Sequence, residues 1–256
     1  MKPIWVQLPT DWIERGGLIG LAWSDTEKRS GYIAALMVLI ALAHRSSIDK
    51  PTIRATYDEI TAATHLARPT VSRGLTVLAE MGLITRASAG QSTYELVWDE
   101  GRRWAKLPAR GLYSGEGVKA FTHFTLRSRV ELDALKIYLL LVDRKSFDKN
   151  LVEISYDGIA RYSGVPTSCI NAAISLLIKL DLVRISSGVF EESAGLSNTY
   201  RIAHLEGVRP RAFLGTETPP LPSDTIPRST LGLARPRVVV SAEAPPTPSP
   251  ARTGSA

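Results

Sequence analysis

Residues 56–86 read TYDEITAATHLARPTVSRGLTVLAEMGLITR, and the order of signals along them decides the fold. Thr56 is a good N-cap and Glu59 stands three residues on, the capping-box spacing, so a short helix is predicted to start there. His65, Leu66, Ala67 and Arg68 make a brief turn. Pro69 follows, suited to the first position of a helix because its missing N–H costs nothing there. Val71, Leu75 and Leu78 then recur at i, i+4 and i+7 and face a core, and Gly82 supplies the left-handed cap that ends the helix. Beyond it, residues 83–86, a polar turn at 87–90 and residues 92–97 read as strand, loop and returning strand.

Upstream, Ile33, Leu36, Met37, Ile40 and Leu42 recur at helical spacing without proline, which predicts a buried first helix over residues 31–45. The whole stretch from Trp5 to Arg86 then returns 99 positions later without an insertion. Trp5/Trp104, Leu8/Leu107, Pro9/Pro108, Ala35/Ala134, Leu36/Leu135, Tyr57/Tyr156, Asp58/Asp157, Ile60/Ile159, Leu78/Leu177 and Leu83/Leu182 are among the identical pairs. Seventeen of 82 positions match, roughly three times what ordinary compositions produce by chance. The second copy carries its first helix at 130–144, with Leu132, Leu135, Ile137, Leu139 and Leu141. Its second helix is capped by Ser155, and its third has Ile170, Ile174 and Leu177 inward and ends near Asp181. Strands at 182–185 and 198–202 flank a loop about seven residues longer than in the first copy.

The predicted class is therefore mainly α with small β-hairpins, an α+β chain. Its boundaries are a first domain at 1–98, a second at 99–215 and a tail at 216–256. The 41 residues of the tail hold nine of sixteen prolines and no aromatic side chain, so it reads as disordered. It is either a solvated tail or a weakly contacting arm bearing Arg228, Arg235, Arg237 and Arg252, with Val238, Val239 and Val240 a short run able to dock as a strand. The longest apolar run, 34–43, is about half a bilayer span, since roughly 20 residues are needed. No membrane partner is expected. The N-terminus lacks an apolar signal core, and a cytoplasmic protein is the expectation.

Cys169 is the one cysteine, and His44, His65, His123 and His204 are scattered, so neither a disulfide framework nor a metal site is expected. Net charge of +6 favours a polyanion partner. Gly115-Glu116-Gly117-Val118-Lys119 lacks the Gly-Lys-Ser/Thr ending of a phosphate loop, there is no Gly-x-Ser-x-Gly elbow, and Glu191-Glu192 reads as a solvated acidic pair. The chain is read as a non-enzyme without cofactor.

Helix, short helix, tight turn, third helix and β-hairpin is the order of a winged helix-turn-helix. Residues 68–73 followed by 78–86 resemble the recognition helix and wing start of bacterial winged-helix regulators, and the tandem arrangement is similar to plasmid replication initiators built from two such domains. The resemblance implies that the third helix enters the major groove of double-stranded DNA. With the apolar positions facing inward, Thr70, Ser72, Arg73 and Thr76 point outward in the first copy. Arg73 is the candidate for a base contact, through guanine O6 and N7, against the alternative of a solvated surface arginine. Arg68, Arg86 and Gln91 stand where phosphate contacts are usual.

In the second copy Thr167 replaces Arg68 and Ala172 replaces Arg73, leaving Ser168, Asn171 and Ser175 outward with Lys179, Arg184 and Arg201 nearby. That half either reads a weaker half-site or turns its helix toward a protein. Trp5 to Pro9 and Trp104 to Pro108 are expected to pack over the first helices, or else to line a partner groove. The functions admitted are a sequence-specific transcriptional regulator, a replication initiator of a plasmid or mobile element, and a winged-helix interaction adaptor. A second copy of the chain, or the replication or transcription machinery, completes the expected partners.

Overall fold

Two nearly uninterrupted apolar segments, residues 31–43 and 134–142, form the centre around which the rest of the chain is arranged. The computed structural model describes residues 3–46, 52–86, 92–98, 103–146, 150–186 and 197–205. Among them the chain is a mixed α+β structure of seven α-helices and several small antiparallel sheets. Gln91, the loop at 87–90, Glu191-Glu192 and the tail at 216–256 lie outside the described residues.

The first copy opens with β1 (Trp5–Pro9) and a short α1 (Asp11–Glu14), followed by turns. Next comes α2 (Arg29–Ala43), in which twelve of fifteen residues are buried, the mark of a helix surrounded on every side. Then follow β2 (Thr52–Arg54), α3 (Tyr57–Thr64), α4 (Arg68–Glu80), β3 (Ile84–Arg86) and β4 (Thr93–Leu96). The capping box is present: the Glu59 amide donates to Thr56 Oγ1 at 3.2 Å and the Thr56 amide to Glu59 Oε2 at 2.7 Å. The bond from the Thr56 amide, joined by one from the Thr56 hydroxyl at 3.0 Å, holds the Glu59 carboxyl below its ordinary pKa. Val71, Leu75 and Leu78 are fully buried. Gly74 brings α4 against α2, where a Cβ would stand 2.9 Å from the Ala34 carbonyl carbon.

The second copy runs β5 (Trp104–Pro108), a small hairpin of β6 (Tyr113–Ser114) and β7 (Gly117–Val118), a 3-10 turn at Lys119–His123, then α5 (Arg129–Arg144). It continues with β8 (Val152–Ser155), α6 (Tyr156–Ser163), α7 (Thr167–Lys179), β9 (Val183–Ile185) and β10 (Ser197–Ile202). The elements α6, α7 and β9 begin and end 99 residues after α3, α4 and β3. Gly82 and Asp181 both take positive φ, 68° and 51°, where the third helix of each copy ends.

Two features exceed the sequence expectation. Short strands β2 and β8 precede the capped helices and complete three-stranded sheets, ordered β2-β4-β3 and β8-β10-β9. The opening segments also pair with each other as antiparallel strands β1 and β5. Leu8 and Leu107 are buried as expected, while Trp5 and Trp104 stack on one another with ring centroids 5.9 Å apart and planes 13° apart. The two copies thereby lie in one compact unit, with α2 packed on α5.

Candidate nucleic-acid interface

Each copy sets its third helix by the same turn chemistry. Thr64, at the end of α3, is buried and donates its hydroxyl to the Ile60 carbonyl at 2.7 Å, while its oxygen accepts from the Leu66 amide at 3.4 Å. Ser163 does the same at the end of α6, to the Ile159 carbonyl at 2.6 Å and from the Val165 amide at 3.2 Å. His65 and Gly164 follow with φ of 61° and 68°, the left-handed conformation that turns the chain sharply. Leu66 and Val165 are buried and pin the turn. With the inner face thus fixed, the opposite faces of α4 and α7 are open to solvent.

On α4, Arg68, Arg73 and Thr76 are exposed and Thr70 and Ser72 are half-buried. The Arg73 guanidinium extends back along the helix, donating to Thr70 Oγ1 at 3.3 Å and to Ser30 Oγ, at the start of α2, at 3.4 Å. Both bonds are long and exposed, so they orient the group without holding it against a competing acceptor. Thr76 donates to the Ser72 carbonyl at 3.0 Å, which leaves its oxygen free only to accept. Arg68 Nε lies 3.7 Å from Asp58 Oδ1 with both side chains exposed, a pair worth little, and its guanidinium stands over the Tyr57 ring at 5.8 Å. Arg86 is exposed on β3, opposite Tyr94. Along α4 the cations occupy the first two turns, and Glu80 ends the helix in an ion pair with Lys28 at 3.6 Å.

On α7 the exposed set is Thr167, Ser168, Asn171, Ala172, Ser175, Ile178 and Lys179. Lys179 does not share the middle of that face. It lines a cavity of about 200 Å³ beside Lys119, His123 and His204, at the far end of the helix. Two cations of this copy face each other on its sheet: Arg184 on β9 stands directly opposite Arg201 on β10. Arg184 Nε is 3.4 Å from Asp181 Oδ1, and Arg201 donates to Ser186 Oγ at 3.5 Å. Two like charges facing each other across a ladder oppose its formation, and an anion laid over them removes that cost. The equivalent pair in the first copy is Thr85 opposite Glu95.

Arginines on the third helix, Arg68 and Arg73, thus belong to the first copy alone, and a facing arginine pair on the sheet belongs to the second, while Arg86 keeps one cation on the first copy's β3. Sequence spacing found the outward residues of both helices. It missed Ser30, whose contact with Arg73 spans 43 positions, and the facing of Arg184 with Arg201, which needs the strand register. Among the described residues no three His, Cys, Asp or Glu side chains gather as a metal site, and no helix is long and apolar enough to cross a membrane. No protein-family model, curated protein or solved structure matches the chain.

Proposed function

We propose that the chain is a sequence-specific double-stranded DNA-binding protein, a transcriptional regulator, in which each copy is a winged helix-turn-helix unit. The observation that carries this reading is the outward face of α4. Behind a tight turn fixed by buried Thr64, the first two turns of an otherwise core-facing helix present Arg73 with Thr70 and Ser72, held only by long exposed hydrogen bonds. The N-terminal part of a helix after such a turn is the part that reaches base edges in the major groove. A guanidinium there matches guanine O6 and N7.

The paired arginines of the second sheet support a contact of another kind, with phosphate oxygens, which positions a protein and carries no sequence information. The first unit supplies most of the specificity, and the second adds a phosphate clamp to a weaker reading face. Salt dependence tests the reading. Titrating duplex DNA at several salt concentrations is expected to give log K falling against log salt with a slope of about −3 or steeper, as for three or more neutralised phosphates. A flat dependence removes DNA as the partner.

A further inference from the structure

The strand pairing between the two copies is symmetric under their exchange. In the β1–β5 ladder Trp5 faces Pro108, Val6 faces Leu107, Gln7 faces Lys106, Leu8 faces Ala105 and Pro9 faces Trp104. Moving every residue to its equivalent 99 positions away converts the first pair into the last and the second into the fourth. It returns the central pair to itself. The ladder's extensions obey the same exchange: the Thr10 amide donates to the Arg103 carbonyl at 3.1 Å, and the Ala109 amide to the Ile4 carbonyl at 2.9 Å.

Packing away from the strands repeats the pattern. The ends of the two central helices each meet the other copy at equivalent positions of that copy, Tyr113 and Glu14, through helix residues one place out of register, His44 at 2.8 Å and Arg144 at 2.7 Å. The turns before the two reading helices are equivalent residues, and each receives the opposite copy. A Cβ on Gly164 would meet Ile19 Cα at 3.2 Å, and one on Gly117, beside the position equivalent to Ile19, would meet the Ala62 carbonyl oxygen at 2.7 Å, next to His65. These are the marks of an isologous contact, in which the same patch of both partners meets itself across a two-fold axis. Here the axis passes between Gln7 and Lys106, within one chain.

We propose that the chain recognises an inverted, unequal pair of half-sites on one duplex, the stronger bound by α4 and the weaker by α7. The proposal rests on the DNA-binding reading above. Two-fold related reading helices face a duplex in opposite senses, so operator symmetry follows protein symmetry, with half-site centres about 10 base pairs apart or a whole-turn multiple of that. Because the halves differ at Arg73 and Ala172, the symmetry of the site is imperfect. Asn171, able to pair with adenine N6 and N7, is the strongest base-reading group on α7. One chain fills both half-sites.

The test is selection of bound sequences by the full-length chain from a pool of random 40-base-pair duplexes, followed by probes made from the winner with one half-site reversed. The expected product is an inverted pair, one half sharply defined and the other loosely. Reversal of either half is expected to weaken binding at least about tenfold, the effect of losing simultaneous engagement. N171A should relax the looser half alone. Directly repeated half-sites, or a single site indifferent to reversal of its flank, overturn the inverted arrangement while leaving DNA binding intact. Absence of any enriched sequence, together with a flat salt dependence, overturns the DNA-binding reading itself.

Discussion

Lys136 lies in the middle of α5 with its ammonium 3.0 Å from the Leu21 carbonyl of the other copy, and only 2% of the residue is exposed. Burial pulls its pKa from 10.5 down to about 8, against the attraction of Asp133, whose own carboxyl is raised by burial next to Arg129. Between those two values the unfolded chain binds more protons than the folded one, so stability rises as pH increases from 8 to 10.5. The rise is on the order of 3 kcal/mol at 1.36 kcal/mol per pKa unit. K136M places there the residue found at the equivalent position, Met37, and urea unfolding at several alkaline pH values is expected to show the rise removed; an unchanged rise would assign it to another group. Helical periodicity gives no hint of this amine, because its acceptor is 115 positions away. Arg73 is the opposite case, legible from spacing alone. R73A is expected to lose roughly 1–3 kcal/mol on a selected duplex and much less on random DNA, measured by competition at fixed salt. Equal losses on both would make it a phosphate contact.

Among the elements, those whose signals are local were readable and those whose partners are distant were not. The helices α3, α4, α6 and α7 declare themselves through caps, turn residues and i, i+4, i+7 spacing. Strands β2 and β8 have three and four residues, too few for their alternation to stand out, so only their pairing with β4 and β10 reveals them. The caps themselves differ in strength. Thr56 has a reciprocal glutamate and Ser155 accepts only the Gly158 amide, at 3.1 Å. T56A is therefore expected to cost about 1 kcal/mol and more than S155A, compared by thermal melting of the two variants; a larger loss for S155A would show that the glutamate adds nothing. At Gly74 the contact with Ala34 leaves no room, and G74A is expected to destabilise by about 1–3 kcal/mol through displacement of α4 from α2. A neutral G74A in the same melts would mean that the helices part without cost.

At the scale of the whole molecule, duplication was evident in the sequence, but the manner of joining was not, since a repeat says nothing of whether its copies touch. The β1–β5 ladder and the α2–α5 packing decide it, and they make each copy the other's cover. A chain beginning at residue 99 leaves β5 without its neighbour and uncovers the face of α5. Because the ladder is self-complementary about Gln7 and Lys106, that fragment is expected to dimerise through two β5 strands. Sedimentation of the fragment checks this, and a stable monomer would show that the second copy stands alone. The joining also alters how occupancy depends on amount. A reading pair assembled from separate subunits comes apart on dilution, and its binding curve steepens as association and DNA binding become linked. Here both heads are made in a fixed one-to-one ratio on a single polypeptide. On the proposed DNA-binding reading, site occupancy is expected to follow a simple hyperbola in protein concentration, because scarcity of the protein does not split the pair.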